Sequence, residues 1–476
     1  MIRVRFAPSP TGYIHLGNVR TALFNYLYAK RGGGKFILRV EDTDRERSKP
    51  EYRQALMEDL LWMGLRWDEG PEVGGEFGPY VQSERLAIYD EHIARLIRDG
   101  KAYECYVTEQ ETEEMKYLAK IEKRPPRFDN RGRNFSREEI EKRRAAGIKP
   151  TVRFRIESPL LTLLDMIRGE VTFNLDDMVG DFVIRRADGM PTFHLVVCVD
   201  DALMKITHVI RGEDHLSNTP KHMLLLRAMG YEPPVYGHLS LINGPGGEPL
   251  SKRMESISIR AFRKAGFLPE ALCNYIALLG WSPGDDREIL PWPELQALFD
   301  LSRVSRSSSN YDLEKFSWLN GQHLRLLSEG DFVRRAVTFL KPLQLPYSDE
   351  EVAAILPVFK DNIEHFDQLP DRLKVLADEF DYEKPELWIQ APASRGVLEK
   401  ASALLDDFMA EKAPSYEQFL EKLKPVAAVK GKELFMPLRV CWTGREHGPE
   451  LKRIFPVLGA ARLKQRTLRA LALHAK

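Results

Sequence analysis

Cysteine is scarce in this 476-residue chain. Cys105, Cys198, Cys273 and Cys441 stand far apart with no Cys-x-x-Cys pair, which argues against a disulfide framework and for reduced thiols in a cytosol. Long apolar runs are missing as well: none reaches eighteen residues, and the start carries no charged-then-apolar leader. The expectation is a soluble, cytoplasmic protein with no membrane partner. Net charge is absent too, with 70 Lys plus Arg against 70 Asp plus Glu, so overall charge makes no case for a nucleic-acid partner. There is no internal repeat, heptad run or low-complexity tract. Nor does the chain carry the six-residue glycine fingerprint of dinucleotide sites or a phosphate loop ending in Gly-Lys-Ser/Thr.

What is present is charge that is unevenly placed. Residues 120–155 hold thirteen Lys/Arg against five Asp/Glu, 361–420 fourteen acidic against six basic, and 421–476 thirteen basic against four acidic. Localised basic surface on a neutral protein is what a phosphate-tracking face requires, although ordinary solvated charge fits each segment separately. The length predicts two to four domains with a large buried core.

One front stretch organises the rest. Arg3 to Phe6 alternates polar and apolar residues and reads as a strand, and Pro8, Pro10 and Gly12 end it in a turn. Asn18 reads as the N-cap of a helix that Gly32 to Gly34 stop, and Phe36 to Val40 reads as a return strand ending in Glu41-Asp-Thr-Asp44. Such a unit offers backbone N–H groups and a positive dipole end to phosphate. His15 can donate beside that end, and Gly17 has no side chain to hold a base away. Spacing alone leaves open a purely structural strand–helix turn. Further on, helices are expected over Glu51–Met63, Arg85–Arg98 and Pro220–Met229, and strands over Val152–Ile156, Val171–Phe173, Asp181–Arg186, Thr192–Val199, Ile206–Ile210 and Tyr236–Ile242. Beyond Trp281 strand signals fade into helical segments, the last of them basic.

A second stretch, Gly247-Glu-Pro-Leu-Ser-Lys-Arg253, brings Ser251, Lys252 and Arg253 together after a Gly-rich loop. Paired with Pro8-Ser-Pro-Thr-Gly-x-x-His-Leu-Gly-Asn18, it resembles the two signature motifs of class I aminoacyl-tRNA synthetases. Val40-Glu-Asp-Thr-Asp44, Gln82-Ser-Glu-Arg85, Val209-Ile-Arg-Gly-Glu-Asp-His-Leu-Ser-Asn-Thr219, Leu278-Leu-Gly-Trp281 and Trp442-Thr-Gly-Arg-Glu-His-Gly-Pro-Glu-Leu451 narrow the likeness to bacterial-type glutamyl-tRNA synthetases, along nearly the whole chain. The resemblance implies an α/β, Rossmann-like parallel-sheet catalytic domain (1–82 and 189–322), an inserted α+β acceptor-binding domain (83–188), a helical domain (323–376) and an all-helical anticodon-binding domain (377–476). It implies adenylation of L-glutamate by ATP with Mg²⁺, then transfer to tRNA(Glu); for oligomeric state, a monomer is the default expectation. His15, Gly17, Asn18, Ser251, Lys252 and Arg253 match the ATP-binding and catalytic positions. Arg5, Ser9, Glu41, Phe193 and Arg211 match the glutamate site, with Arg5 on the side-chain carboxylate and Glu41 on the ammonium. Ion pairs with Glu41 or Glu213 are the structural alternative for Arg5 and Arg211. Arg47, Arg124, Arg127, Arg131, Arg133, Arg439, Trp442 and Arg445 are candidates for tRNA contact.

The chain also departs from the family pattern. Asn18 stands in the fourth place of the first signature, and Pro249 where a lysine is common. Val197 stands where many relatives have a small polar or thiol side chain. Of the zinc knuckle only Cys105 remains, with Val107 and Gly132 in cysteine places, so no zinc is expected. Segment 360–365 lacks the arginine that relatives rejecting glutamine tRNA use, which leaves tRNA(Gln) as a second acceptor to test. Two other readings are open. One is a short tRNA-base-modifying relative, which the helical residues beyond His323 argue against. The other is a silent RNA-binding paralogue, which would have lost His15, Gly17 and Lys252.

Overall fold

The computed structural model describes residues 1–44, 46–123, 127–157, 160–175, 180–244, 246–248, 257–410 and 415–473. The chain forms two compact units, Met1–Phe262 with Pro269–Leu313, and Arg263–Leu268 with Glu314–Lys476. The predicted boundary at 322 thus falls inside the second unit, which also contains both helical parts, 323–376 and 377–476.

In the first unit, β1 (Arg3–Phe6) runs into α1 (Leu16–Arg31) and returns through β2 (Lys35–Leu38), paired parallel from Arg3↔Lys35 to Phe6↔Leu38. All four β1 residues are buried, as a parallel strand covered on both faces requires. α2 (Pro50–Trp62) and α3 (Leu86–Arg98) follow. The predicted insert then contributes β3 (Ala102–Cys105), α4 (Glu109–Ile121), α5 (Arg137–Ala145), β4 (Thr151–Phe154), β5 (Leu160–Asp165), β6 (Gly169–Asn174) and β7 (Phe182–Arg185). Its antiparallel sheet has the order β3-β4-β7. The hairpin β5–β6 leaves that sheet: Leu161, Leu163 and Phe173 share a buried cluster with Ile37, Val209 and Tyr236.

The chain continues with α6 (Phe193–Leu203), β8 (His208–Gly212), α7 (Thr219–Ala228) and β9 (Val235–Leu239). β8 and β9 pair parallel, and the Thr207 N–H donates to the Arg3 carbonyl at 2.9 Å, which sets β8 beside β1.

The strand expected over Thr192–Val199 is helix α6. Its run Leu195-Val-Val-Cys-Val199 is buried on every side, and a continuous apolar run does not distinguish a buried helix from a buried strand. Tertiary packing overrides the β-propensity of three valines. Near its end the helix carries Asp200 and Asp201, both buried, and both receive cations from neighbouring elements.

The second unit is helical among its described residues. The helices Pro392–Leu405, Tyr416–Ala427, Lys432–Thr443 and Leu451–Ala472 close around Phe419, Trp442 and Phe455, whose ring centroids lie 5.0–5.6 Å apart. Gly459, at φ 72°, interrupts the last helix just before the predicted start at Ala460.

Candidate active site

The first signature closes around its own helix end. His15, not Asn18, is the N-cap of α1: its Nδ1 accepts from the Gly17 N–H at 3.2 Å, and its φ/ψ of −116°/170° are extended. The helix therefore starts three residues earlier than predicted, because an imidazole nitrogen does the work expected of an asparagine side chain. Asn18 lies in the first turn instead. Acceptance at Nδ1 places the proton of the neutral ring on Nε2. A Cβ at Gly17 would come within 3.2 Å of the His15 ring, so glycine there lets the ring fold over the turn as well as keeping the backbone approachable.

Ser251, Lys252 and Arg253 lie outside the described residues. Just beyond them the chain returns to the front: Ser258 forms an antiparallel bridge with His15, and the Ile259 N–H meets the Ile14 carbonyl at 3.5 Å. Arg20 is buried one turn further along α1 and donates to the carbonyls of Ser240 and Leu279. Both flanks of the second signature are thus tied to α1.

Beside this lies a charge network. Arg5 on β1 donates to Asp201 at 3.2 and 3.4 Å. Arg39 is fully buried and reaches Asp201 at 2.6 Å and Glu41 at 3.0 Å. Asp200 accepts from Arg85 at 2.7 Å, Gln82 at 2.9 Å and the Tyr89 hydroxyl at 2.9 Å. Burial works against the Arg39 charge, but Asp201, Glu41 and Asp200 outweigh it and hold the guanidinium above its usual range. Burial likewise pushes the Glu41 carboxyl up, with Arg39 and Arg5 opposing, whereas Arg5 and Arg39 together keep Asp201 below its ordinary value against the same burial.

Arg211 on β8 is different. It is 5% exposed, and its hydrogen-bond partners are all neutral: His238 Nε2 at 3.3 Å, His222 Nδ1 at 3.2 Å, Thr219 Oγ1 at 2.8 Å and the His215 carbonyl at 3.3 Å. Burial pulls it down to about 10, and Arg5 adds like-charge repulsion. Neither ion pair held open for the arginines forms. Arg5 takes Asp201, and Glu213 pairs with Arg168. Phe193 is partly buried among His194, His215 and His222, with ring centroids 5.6–5.7 Å away. Ser9 is exposed on the signature turn. A cleft of about 350 Å³ opens beside that turn, lined by Pro10, Asp42, Ser48, Lys49 and Arg53 among others.

Sequence reasoning misses Arg39, Asp201, His222, His238 and Asp165. A charged residue in the middle of an apolar strand is the available signal for Arg39. The histidines carry none, since each sits in a different element.

The tRNA candidates scatter. Arg124 lies outside the described residues; Arg127 is exposed. Arg131 pairs with Asp129 at 2.7 Å, and Arg47 with Asp44 at 2.6 Å, both on the surface. Arg133 is committed inside the fold, to Asp181 and the Ile156 carbonyl. Arg439 donates to the Pro449 carbonyl at 2.9 Å, and Arg445 is exposed. Trp442 is fully buried with its indole N–H on Thr467 at 3.0 Å; as a core residue it presents no face to a base, which corrects its assignment to tRNA.

The knuckle residues do not suit zinc. Cys105, Val107 and Met115 form a buried apolar cluster with Phe128 and Phe135 against it, and a Cβ at Gly132 would stand 2.5 Å from Cys105 Sγ. Among the described residues this apolar plug offers one thiol, where a structural zinc site takes four donors.

Residues 1–318 match the family model described as tRNA synthetases class I (E and Q), catalytic domain, and residues 331–471 one described as an anticodon binding domain. A glutamate–tRNA ligase of Sulfurihydrogenibium sp. (strain YO3AOP1) is 43% identical, covering 99% of each chain. One from Carboxydothermus hydrogenoformans is 40% identical over 98% of this chain and 99% of its own. A crystal structure of a glutamate tRNA ligase from Elizabethkingia meningosepticum CCUG26117, in complex with its amino acid, superposes with a TM-score of 0.89 at 32% identity, covering 99% of both chains.

Proposed function

The chain belongs to the class I tRNA synthetases of the glutamate and glutamine type, and from that premise we propose that it activates L-glutamate with ATP and transfers the glutamyl group to the terminal ribose of tRNA(Glu). The observation that carries the reading is Arg211, a buried guanidinium on β8 beside β1, close enough to Arg5 to feel its charge, with no carboxylate among its hydrogen-bond partners in the described residues. An anionic substrate would satisfy it, as a cation pocket selective for an acidic amino acid demands.

Adenylation joins a carboxylate oxygen of glutamate to the α-phosphorus of ATP and expels pyrophosphate. The nucleophile is the substrate's own, so the protein contributes position and charge stabilisation. His15, through Nε2–H, and the N–H groups at the start of α1 would hold phosphate oxygens, with Lys252 matching the cation of the second signature. Mg²⁺ would accompany the triphosphate and neutralise part of its charge. Arg5 and Arg211 would take the two carboxylates of glutamate, Arg5 the side-chain one, and Glu41 would accept from the ammonium. Ser9 and Phe193 complete the amino-acid site. The acceptor end would enter beside Arg47 and the cleft at Lys49 and Arg53, with 83–188 along the acceptor stem and 377–476 at the anticodon. Arg439 and Arg445 are the anticodon-side cations; Arg453, paired with Asp361 at 2.9 Å, brings another guanidinium to segment 360–365.

We assign the protein to the cytoplasm as a monomer, without zinc and without a membrane-bound stage. Among the described residues no helix is long and apolar enough to cross a membrane. Metal analysis of the purified protein is expected to return less than one zinc per ten chains.

Aminoacylation with glutamate and ATP decides the activity. Glutamyl-tRNA(Glu) is the expected product, and no charging of purified tRNA(Glu) overturns the reading. Parallel assays on tRNA(Gln) are expected to give product, since segment 360–365 has no arginine of its own; failure there restricts the enzyme to tRNA(Glu). Lys252→Ala is expected to lower kcat for glutamate- and tRNA-dependent pyrophosphate exchange by ~10²-fold or more with little change in the KM for glutamate.

A further inference from the structure

Arg211 is held by imidazoles, and their tautomers follow from the network. Asp165 Oδ2 lies 2.6 Å from His238 Nδ1, while its other oxygen accepts the Ile167, Arg168 and His238 N–H groups at 2.9, 2.8 and 3.2 Å. These donors and His238 keep the Asp165 carboxyl below its ordinary range despite burial. The carboxylate therefore holds a proton on His238 Nδ1, and His238 Nε2 is left as an acceptor for the Arg211 Nε–H. On the other edge, His222 Nδ1 accepts from Arg211 Nη1, so its proton sits on Nε2 and points to His194 Nδ1 at 3.2 Å. Thr219 and the His215 carbonyl take the Nη2 protons. Four contacts engage four of the five N–H bonds.

The types of acceptor matter. A carboxylate at either imidazole position would fix the guanidinium equally well but neutralise it, as Glu69 does for Arg3. A hydrocarbon would leave the charge but not the orientation. A neutral imidazole fixes the plane and leaves the charge available. His238 and His222 are almost fully buried, at 0% and 1% exposure, so solvent does not replace them.

We propose that His238, oriented by Asp165, and His222 are positioning residues for Arg211: they aim its guanidinium through uncharged nitrogen acceptors, so that its full charge faces a carboxylate of glutamate. The proposal rests on the reading that Arg211 binds glutamate.

Glutamate-dependent ATP–pyrophosphate exchange in the presence of tRNA(Glu) tests it through four variants of two positions. His222→Asn keeps an oxygen acceptor where Nδ1 stands, and is expected to hold the KM for glutamate within ~3-fold of wild type. His222→Asp is isosteric with that variant but charged, and should raise that KM by ~100-fold, while His222→Leu and His238→Leu should raise it by ~10-fold. The KM for ATP should change less than ~3-fold throughout. Equal KM values in His222→Asp and His222→Asn overturn the proposal, as does a parallel rise of the ATP and glutamate KM values. Should His238→Leu fail to fold by circular dichroism, the His222 pair alone decides. Arg211→Ala separates the two readings. If it leaves the KM for glutamate unchanged, the assignment of Arg211 to substrate falls; if it raises that KM while the His222 pair stays equal, only the positioning role falls.

Discussion

Arg211 in the catalytic unit and Arg466 in the helical unit are two solutions to burying a guanidinium. They are 5% and 2% exposed, and burial lowers each to about 10. Among the described residues neither has a carboxylate as a hydrogen-bond partner. Their acceptors differ. Arg466 donates to the main-chain carbonyls of Trp442, Val375 and Ala377, and its plane lies 4.8 Å from the Phe380 ring centroid. The Trp442 carbonyl belongs to the last turn of the helix Lys432–Thr443, where carbonyls lack helical partners and the dipole favours a cation. Arg466 is thus a staple between backbone segments. Most of what Arg211 touches is side chain, which can be exchanged without disturbing the main chain. Arg466 is tied to carbonyls alone, whereas Arg211 is tied to two imidazoles and a hydroxyl beside one carbonyl, as the proposed positioning role requires.

The largest effect expected from this contrast is on turnover. Arg211→Leu should lower kcat/KM for glutamate by ~10³-fold, roughly 4 kcal/mol of lost charge-assisted binding, with a smaller fall in Tm than Arg466→Leu, because the Thr219 hydroxyl, 3.0 Å from His238 Nε2, can re-pair an acceptor that the guanidinium leaves. Arg466→Leu should leave kcat/KM per folded molecule within ~3-fold. Pyrophosphate exchange and a thermal melt on the same preparations check both. A large drop in Tm for Arg211→Leu would erase the distinction between the two arginines.

Next in size is the staple itself. Arg466→Leu strips the donors from the buried carbonyls of Trp442 and Val375 and the half-buried one of Ala377, and an unsatisfied buried group costs about 1–3 kcal/mol. Some will find water or a shifted partner, so the expected loss is ~3 kcal/mol in urea unfolding. A loss under ~1 kcal/mol would mean that water replaces the guanidinium and that the helical unit does not depend on it.

The same contrast separates what is legible in the amino-acid order from what is not. β1, α1 and β2 are legible because their apolar periodicity, the Gly32–Gly34 stop and the parallel-strand burial agree with one another. Arg5, Glu41 and Arg211 stand out through motif matches in contiguous sequence. The cap of α1 is misassigned by residue type because His15 is a rare capping residue and Asn18 a common one. α6 reads as a strand because a short, continuous apolar run carries no period. The acceptors of Arg211 come from α7, β9 and the turn at His215, with Asp165 at the end of β5 behind His238, and no local pattern in a single chain announces such a convergence. Trp442 shows the reverse failure, a motif residue whose side chain the core absorbs.

The smallest effect comes from a third way of burying an arginine. Arg3 is 7% exposed and makes a two-pronged ion pair with Glu69, at 2.8 Å on both prongs, with Lys35 and the Tyr80 hydroxyl also donating to that carboxylate. The Arg3 hydrogen bonds, with Lys35 and Tyr80, hold the Glu69 carboxyl down at about 2 against the burial that would raise it. A carboxyl depressed in the folded state contributes stability that is complete above its unfolded pKa, near 4.3, and is lost as the pH falls through the folded value. The difference in stability between wild type and Glu69→Gln should therefore be constant from pH 7 to about 5 and shrink by ~2 kcal/mol by pH 3, as linkage requires. The carbonyls around Arg466 bind no proton in this range, so the difference between wild type and Arg466→Leu should be the same at pH 7 and pH 3. Denaturation series for the three proteins at both pH values read this directly. A wild-type–Glu69→Gln difference that does not shrink with acid would show that the pair holds Arg3 by shape alone, and would remove the electrostatic side of the contrast between carboxylate-held and carbonyl-held arginines.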